Sequence, residues 1–398
     1  MTLATLRLKR HEDRRLRQGH LWVFSNEVDT CATPLKAFEP GDLAVVEDAG
    51  GKALGIAYVN PNALICARLL SRDPATAIDR DFWLRRLRQA LDWRQRRFPT
   101  PHYRLVHGEG DWLPGLVIDR FGDVCVVQLN TAGTERHRGD LLAALDHLLR
   151  PATLVLRNDS PARTLEGLPT AVEVIGKPLG ASILVEENGC RFLVDPVGGQ
   201  KTGWFFDHRD NRARAAALAR DGRVLDLFAY TGAWGIQLAA AGAREVVCVD
   251  SSAAALELAQ ENARLNGVAE RARFVQADVF DHLKQLKQEK VRFDLIVADP
   301  PAFIKRRKDV AKGIEGYRRL NKLALARLGE GGLLVSCSCS HHLEPDRLQR
   351  LVSGAAAGIS RTTALFARGG QAPDHPVHPA IPETEYLKAQ FYRVMPWP

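Results

Sequence analysis

Five short segments in the C-terminal half constrain the fold more than any other feature: "RVLDLF" from Arg223, "EVVCVD" from Glu245, "ARFVQAD" from Ala272, "FDLIVADPP" from Phe293 and "LLVSCSC" from Leu333. Each is a nearly continuous apolar run, and stretches of helical periodicity such as "SAAALELAQENARLNG" lie between them. Strands that are apolar on both faces and alternate with helices belong to a parallel sheet covered on both sides. The expected fold is therefore α/β, with a Rossmann-like domain over residues 196–398.

The preceding 195 residues have a different rhythm. Residues 1–72 carry short apolar runs broken by turn formers, with Gly50-Gly51 between two strand-like halves, and read as a small β-rich module. Residues 73–195 begin with the basic helical segment "DFWLRRLRQALDWRQRRF". They continue as strand pairs around Gly122-Asp123 and Asn188-Gly189, dipeptides suited to the positive backbone angles of tight hairpins. This second region reads as a central α/β domain, which makes the chain an α/β multidomain protein.

Ligands of doubly wound sheets bind at the carboxyl ends of the strands. The loop after the first strand is "DLFAYTGAWG", with only Gly232 and Gly235 and with an acid, Asp226. A dinucleotide site would crowd three glycines around a diphosphate; an acid here suits a cationic ligand. Asp250 ends the second strand, where it can accept from ribose hydroxyls, and Asp278 ends the third, where it can accept from an adenine amino group. Singly, each is as well explained as a helix cap. In series they fit the ammonium, ribose and adenine of S-adenosylmethionine.

The fourth strand ends in "ADPPAF", where two prolines fix the backbone after Asp299. Acid-Pro-Pro-aromatic patterns resemble those of methyltransferases acting on exocyclic base nitrogens, although Ala302 here separates Phe303 from the prolines. The fifth strand carries Cys337 and Cys339 on one face by its period of two, with Cys339 nearer the carboxyl end. A cytosine ring carbon is a poor nucleophile. Thiolate addition to ring carbon 6 makes carbon 5 electron-rich, and a carboxylate at ring nitrogen 3 stabilises the charge that develops. Cys339 with Asp299 meets that requirement, while Cys337 reads as a buried strand cysteine. A metal site from Cys337, Cys339, His341 and His342 has suitable ligand types but no second ligand pair elsewhere, so no metal is expected.

Composition sets the context. Net charge is +8, and it is clustered: residues 80–104 hold eight arginines against two acids, and residues 305–319 hold seven lysines or arginines against two. Arginine favours bidentate contact with phosphate, so a polyanionic partner is expected rather than merely solvated helix faces. Seven scattered cysteines, a charged N-terminus and no apolar run of membrane-spanning length point to a reducing, cytoplasmic setting with no membrane partner.

With these residues in view, the chain resembles the bacterial 23S ribosomal RNA cytosine-5 methyltransferases that carry an N-terminal PUA-like RNA-binding domain. The matching segments are "RRLRQGHLWVFSNEV", "GEGDWLPGLVIDRFGD", "GGQKTGWFFDHRDNR", "DLFAYTGAWG", "DPPAF" and "SCSCS". The resemblance implies a small β-barrel, PUA-like domain over 1–72, Cys339 as nucleophile and Asp299 as the acid beside the base. S-adenosylmethionine would be held by Asp226, Phe228, Tyr230, Gly232, Asp250, Ser251 and Asp278. Pro300, Phe303, Lys201, Arg209, Arg85, Arg86 and Arg94 would face RNA. The implied partner is 23S ribosomal RNA or a precursor of the large subunit, and a homodimer is compatible with it. Some related enzymes have a second cysteine where this chain has Pro301, so the base that removes the ring proton is left unassigned. Two other readings remain open: a methyltransferase for an exocyclic base nitrogen, and an RNA-binding assembly factor without catalysis.

Overall fold

The computed structural model describes residues 3–397, which divide into two units. The first comprises residues up to Ile183, Asp195–Phe206 and Pro373–Thr384; the second comprises Leu184–Val194, Asp207–Ala372 and the chain from Glu385. No helix among the described residues is long and apolar enough to cross a membrane.

The first unit opens with β1 (Ala4–Arg7), the single turn α1 (Arg14–Arg17), β2 (Trp22–Phe24), β3 (Asp42–Glu47), β4 (Ala53–Val59) and β5 (Ile65–Ser71). They form one sheet in the order β1-β3-β4-β5-β2, in which β1 and β3 alone are parallel. The barrel read from the sequence takes the form of a curled sheet with one isolated bridge, Leu8 to Val28, between its two ends. Leu6, Leu8, Val23, Val46, Val59 and Cys66 fill its interior.

The same unit continues with α2 (Arg80–Arg97), β6 (His102–His107), β7 (Leu116–Phe121), β8 (Val124–Leu129), α3 (Ala132–Arg136), α4 (Arg138–Leu149), β9 (Thr153–Asn158), α5 (Pro161–Leu165) and β10 (Ala171–Gly176). Asp79 caps α2 by accepting from the Phe82 amide at 2.9 Å. Phe82, Trp83, Leu87, Ala90, Leu91 and Arg94 recur at helical spacing and are the buried face of α2. Arg94 thus lies on the core side, which corrects its assignment to RNA. Its guanidinium donates to both oxygens of Asp111, to the Arg104 carbonyl at 2.9 Å and to the Asp374 carbonyl at 2.8 Å. Arg86 is half-buried, donating to the Leu70 carbonyl at 3.2 Å, whereas Arg85 is exposed.

The second unit starts with the hairpin β11 (Ile183–Glu187) and β12 (Cys190–Val194), turned by Asn188 and Gly189, both at positive φ. The sequence reading closed the central domain at residue 195 and so included this hairpin. In the structure its strand edge is paired by asparagine side chains instead. Following α6 (Arg209–Ala216), β13 (Arg223–Leu227), α7 (Ala233–Ala240) and β14 (Glu245–Asp250) comes α8 (Ala253–Leu265). Asn262 in α8 and Asn266 at its C-cap each accept from a β12 amide and donate to the carbonyl of the same residue, Leu193 and Arg191 respectively. A primary amide carries the same donor and acceptor as a peptide group, so the two asparagines act as a neighbouring strand.

The unit is completed by β15 (Ala272–Gln276), α9 (Val279–Gln288), β16 (Phe293–Ala298), α10 (Val310–Leu325), β17 (Leu328–Ser338), α11 (Pro345–Ala357), β18 (Arg361–Gly369) and β19 (Lys388–Pro396). Seven strands form one sheet in the order β15-β14-β13-β16-β17-β19-β18. The five apolar runs are its parallel strands; β19 runs antiparallel between β17 and β18. The order reverses between β13 and β16, and the strand ends there are where a ligand would bind.

Removing one partner of a buried ion pair strands the other charge, at a cost of roughly 3–5 kcal/mol. Arg94→Met is therefore expected to lower the urea midpoint by about that equivalent and to leave the salt dependence of RNA binding unchanged. Arg85→Ala, on the exposed face, should change stability by less than about 0.5 kcal/mol. Equal stability of the two variants would contradict the buried role of Arg94.

Candidate active site

Asp226 lies within β13, paired in register with Cys248 and Val297, and not in the loop as the sequence reading had it. Its side chain is fully buried. Oδ2 accepts from the Gly235 amide at 2.9 Å, while Oδ1 has no partner among the described residues. A Cβ on Gly235 would sit 2.4 Å from Cys248 Sγ and 3.1 Å from Asp226 Oδ2, so only glycine lets α7 come this close. Burial pushes the Asp226 carboxyl up to about 8, helped by Asp299 and Asp250, while the Gly235 bond and Arg212 oppose the rise.

Between β13 and α7 the backbone enters the left-handed region three times, at Phe228 (φ 64°), Tyr230 (φ 50°) and Gly232 (φ 85°). Two of these are bulky aromatics, a conformation that needs support from its surroundings. The Ala229 amide donates to the Val249 carbonyl at 3.0 Å, and the Tyr230 amide to Asp250 Oδ2 at 2.9 Å. Asp250 Oδ1 accepts from the Ser252 amide at 2.9 Å. Each carboxylate oxygen has a second lone pair, so Asp250 shapes the loop and keeps acceptor capacity for a hydroxyl. Asp278 caps α9, its Oδ1 taking the Phe280 and Asp281 amides; the residue is exposed, as is Ser251.

These residues fit S-adenosylmethionine on structural grounds. Asp226 is a buried carboxyl with one open oxygen, as a cationic group requires. Thr231 Oγ1 in the same loop is also buried without a partner among the described residues.

Asp299 follows β16. Its Oδ2 accepts from Trp234 Nε1 at 3.0 Å, and its Oδ1 lies 3.2 Å from His208 Nε2. Burial pushes this carboxyl up, but His208 and Trp234 beside it outweigh that and hold it below the usual range. His208 and Trp234 were not singled out from the sequence; the only signal for His208 was its place in the segment Gln200–Arg212. In that segment Arg209 is buried against Glu187, which also takes Arg212, so Arg209 anchors α6 and does not face RNA. Lys201 is exposed, with its ammonium 4.6 Å from the Phe205 ring centre. Pro300 is buried and Pro301 exposed, so of the two prolines it is Pro301 that faces outward. Phe303 is half-buried, its ring 4.8 Å from Tyr317 and 6.3 Å from Phe280.

The two cysteines are not equivalent. Cys337 is fully buried, and burial, with the nearby Asp299 charge, pushes its thiol well above the ordinary value. Its sulfur, His208 and Asp299 form the one group of three or more metal-capable residues among the described residues whose ligand atoms lie within 4.8 Å of one another. His341 and His342 are exposed and outside that group. Cys339 lies just past the end of β17 and is half-buried. Its neighbours are pinned: Ser338 Oγ donates to the Tyr317 hydroxyl at 2.9 Å, and Ser340 Oγ lies 2.9 Å from that hydroxyl and accepts from the Ile304 amide at 3.1 Å. Lys388 Nζ donates to the Ser340 carbonyl at 2.6 Å and the Tyr386 carbonyl at 2.7 Å. Burial pulls this lysine down to about 8, and Cys339 pushes it back up. A charged residue inside the run "YLKAQFYRV" was the only sequence trace of Lys388; nothing marked Tyr317.

A seven-stranded sheet of this order, with an acid series at its switch point, defines a class I S-adenosylmethionine-dependent methyltransferase. Residues 163–392 match the family described as S-adenosylmethionine-dependent methyltransferase, and residues 6–72 match a PUA-like domain. The chain belongs to that methyltransferase family. Its relatives include the ribosomal RNA large subunit methyltransferase I of Serratia proteamaculans, 38% identical over 99% of this chain and all of the relative. The protein of the same name from Tolumonas auensis is 37% identical over 98% of this chain and all of its own. Among solved structures, a methyltransferase complexed with SAH aligns over 98% of this chain and all of that one, with a TM-score of 0.83 at 21% identity. A SAM-dependent methyltransferase from Streptococcus mutans aligns over the same shares with a TM-score of 0.82 at 20% identity. At such identities the likeness is one of fold.

Because the folded protein favours the neutral acid at Asp226, ligand-free stability should fall as pH climbs from about 4, the ordinary carboxyl value, and level off past about 8. Asp226→Asn does not ionise and avoids that loss. In thermal scans it is expected to match the wild type near the low end of this window and to outlast it at the high end. Its affinity for S-adenosylmethionine should fall by roughly 1–3 kcal/mol. A wild-type melting temperature flat across the window would contradict the buried, raised carboxyl.

Proposed function

We propose that the protein methylates carbon 5 of a cytosine in large-subunit ribosomal RNA through a covalent adduct with Cys339. The observation that carries the reading is Cys339 itself, a half-buried thiol at the carboxyl end of β17 between two serines pinned to Tyr317. Cys337 is the poorer nucleophile, because the attacking species is the thiolate and burial keeps Cys337 neutral.

Asp226, the Phe228–Gly232 loop, Asp250, Ser251 and Asp278 are the residues to hold S-adenosylmethionine, which supplies the methyl group. Cys339 adds through its sulfur to ring carbon 6, raising electron density at carbon 5. Asp299, kept ionised by its two donors, accepts a hydrogen bond from the exocyclic amino group of the cytosine and so orients the ring beside Cys339. Carbon 5 then takes the methyl group; once its proton is lost, that electron pair restores the carbon 5–carbon 6 double bond, the carbon–sulfur bond breaks and Cys339 regains its thiolate.

The ribosomal RNA part of the reading draws on the names of the relatives and on charge. Lys305, Arg306, Arg307 and Lys308 are all exposed directly after the Asp299 segment. In the first unit, a cavity of about 550 Å³ is lined by Leu21, Leu70, Arg72, Arg86, Trp112 and His378, among others. Trp112 is exposed and left-handed (φ 55°) there, and an aromatic face beside arginines suits an unpaired base and its phosphate.

Cys339→Ala is expected to lose more than about a thousandfold in methylation, the scale for losing a nucleophile, while S-adenosylmethionine binding is retained. RNA with 5-fluorocytosine at the target should form a stable adduct with the wild type, since fluorine blocks the final proton loss. Cys337→Ala should still form that adduct. Methylation by Cys339→Ala, with product methylated on nitrogen, would establish direct transfer to an exocyclic amine instead. No methylation by the wild type on any ribosomal RNA preparation would favour a binding role in assembly.

A further inference from the structure

The segment Gln200–Arg212 matches the family pattern, yet neither the cofactor loop nor the Cys339 chemistry uses it. His208 and Asn211 give it a role. One side of the His208 ring presents Nε2 to Asp299 Oδ1 at 3.2 Å. On the other side, Nδ1 lies 3.2 Å from Asn211 Nδ2. That same amide atom is 2.8 Å from the Gly370 carbonyl oxygen. A carbonyl can only accept, so the Asn211 atom must be its nitrogen, and it has a second hydrogen to give. His208 Nδ1 therefore faces a donor and must offer a lone pair. The proton of the neutral ring then sits on Nε2, directed at Asp299. Gly369 leaves the room this requires, since a Cβ there would come within 1.9 Å of Asn211 Oδ1.

We infer that Asn211 locks His208 as the neutral Nε2–H tautomer, making His208 a positioning residue that acts as a fixed donor to Asp299; the inference rests on the role proposed for Asp299. Both ring nitrogens are committed, so His208 is not the base that removes the carbon 5 proton. Trp234 takes the other carboxylate oxygen, and its ring lies 5.2 Å from that of His208. With one donor on each oxygen, the carboxylate is held in a single orientation and its charged form is favoured. The other charged or titratable groups facing this pair are Asp207, Asp226, Cys337 and Arg212. The three that can carry negative charge oppose ionisation of Asp299, so loss of a donor would not be made good locally.

Nitrogen-15 NMR of the full-length, histidine-labelled protein tests the tautomer directly. The His208 signals, identified by their loss in His208→Asn, are expected to show the neutral Nε2–H pattern in the wild type. In Asn211→Leu, which no longer directs a donor at Nδ1, the Nδ1–H tautomer should appear beside it. On unmodified 23S ribosomal RNA, His208→Ala should lose roughly ten- to a hundredfold in kcat with little change in KM, the range for one hydrogen bond to a charged group. Its acidic limb should move to higher pH, because Asp299 then protonates more readily. His208→Asn keeps an amide donor and should recover most of the rate. An imidazolium or an Nδ1–H tautomer in the neutral wild type, or an acidic limb unmoved in His208→Ala, overturns the inference. An active Cys339→Ala enzyme beside the expected NMR pattern would remove the covalent mechanism and leave the lock on Asp299 intact.

Discussion

Acids crowded at one edge of a sheet are the constraint around which the second unit is organised. Asp226 lies within β13, Asp250 ends β14 and Asp299 follows β16, and the charges of Asp299 and Asp250 oppose ionisation of Asp226. A sheet edge tolerates this only where donors are aimed at each carboxylate. The amide of Gly235 serves Asp226, those of Tyr230 and Ser252 serve Asp250, and Trp234 and His208 serve Asp299. The left-handed loop, the close approach of α7 and the segment before α6 all follow from that need. One oxygen, Asp226 Oδ1, is left without a partner among the described residues.

A second set of contacts joins the two chemical segments. Tyr317, from α10, lies under both serines flanking Cys339, and Ser340 also holds the Ile304 amide just past "DPPAF". Gly313 and Gly316 on the same helix leave space for Ile304 and Phe303, since a Cβ at Gly313 would come within 2.3 Å of Ile304. Ser338 and Ser340 of "SCSCS" thus fix the backbone on either side of Cys339. Its two cysteines differ in burial, Cys337 being fully buried and Cys339 half-buried.

Much of this was legible in the residues, for reasons specific to each. The five parallel strands were visible because burial on both faces demands continuous apolar runs. β18 and β19 were not. β18 lies at the sheet edge and alternates in exposure, and β19 begins with Lys388 and Gln390, polar residues whose burial depends on distant carbonyls. Arg85 and Arg94 look alike in a list of charges, and only the spacing of Phe82, Leu87 and Leu91 puts Arg94 on the inner face. The acid series could be read as a series; the burial of Asp226 could not, because it depends on how closely α7 approaches. His208 was overlooked because its partners lie far along the chain, at Asp299 and, through Asn211, at Gly370.

The division of the chain bears on how the protein is made. The backbone passes between the two units five times, at residues 183–184, 194–195, 206–207, 372–373 and 384–385. Neither unit is one continuous stretch of message. Arg94 receives its Asp374 bond from 280 residues downstream. At ordinary translation speeds of about 5–20 residues per second, roughly 14–56 seconds separate the emergence of the two from the ribosome. Throughout that interval the nascent first unit holds a guanidinium whose set of acceptors is incomplete. The last few dozen residues of the chain are therefore needed before the hydrogen bonds of Arg94 are complete.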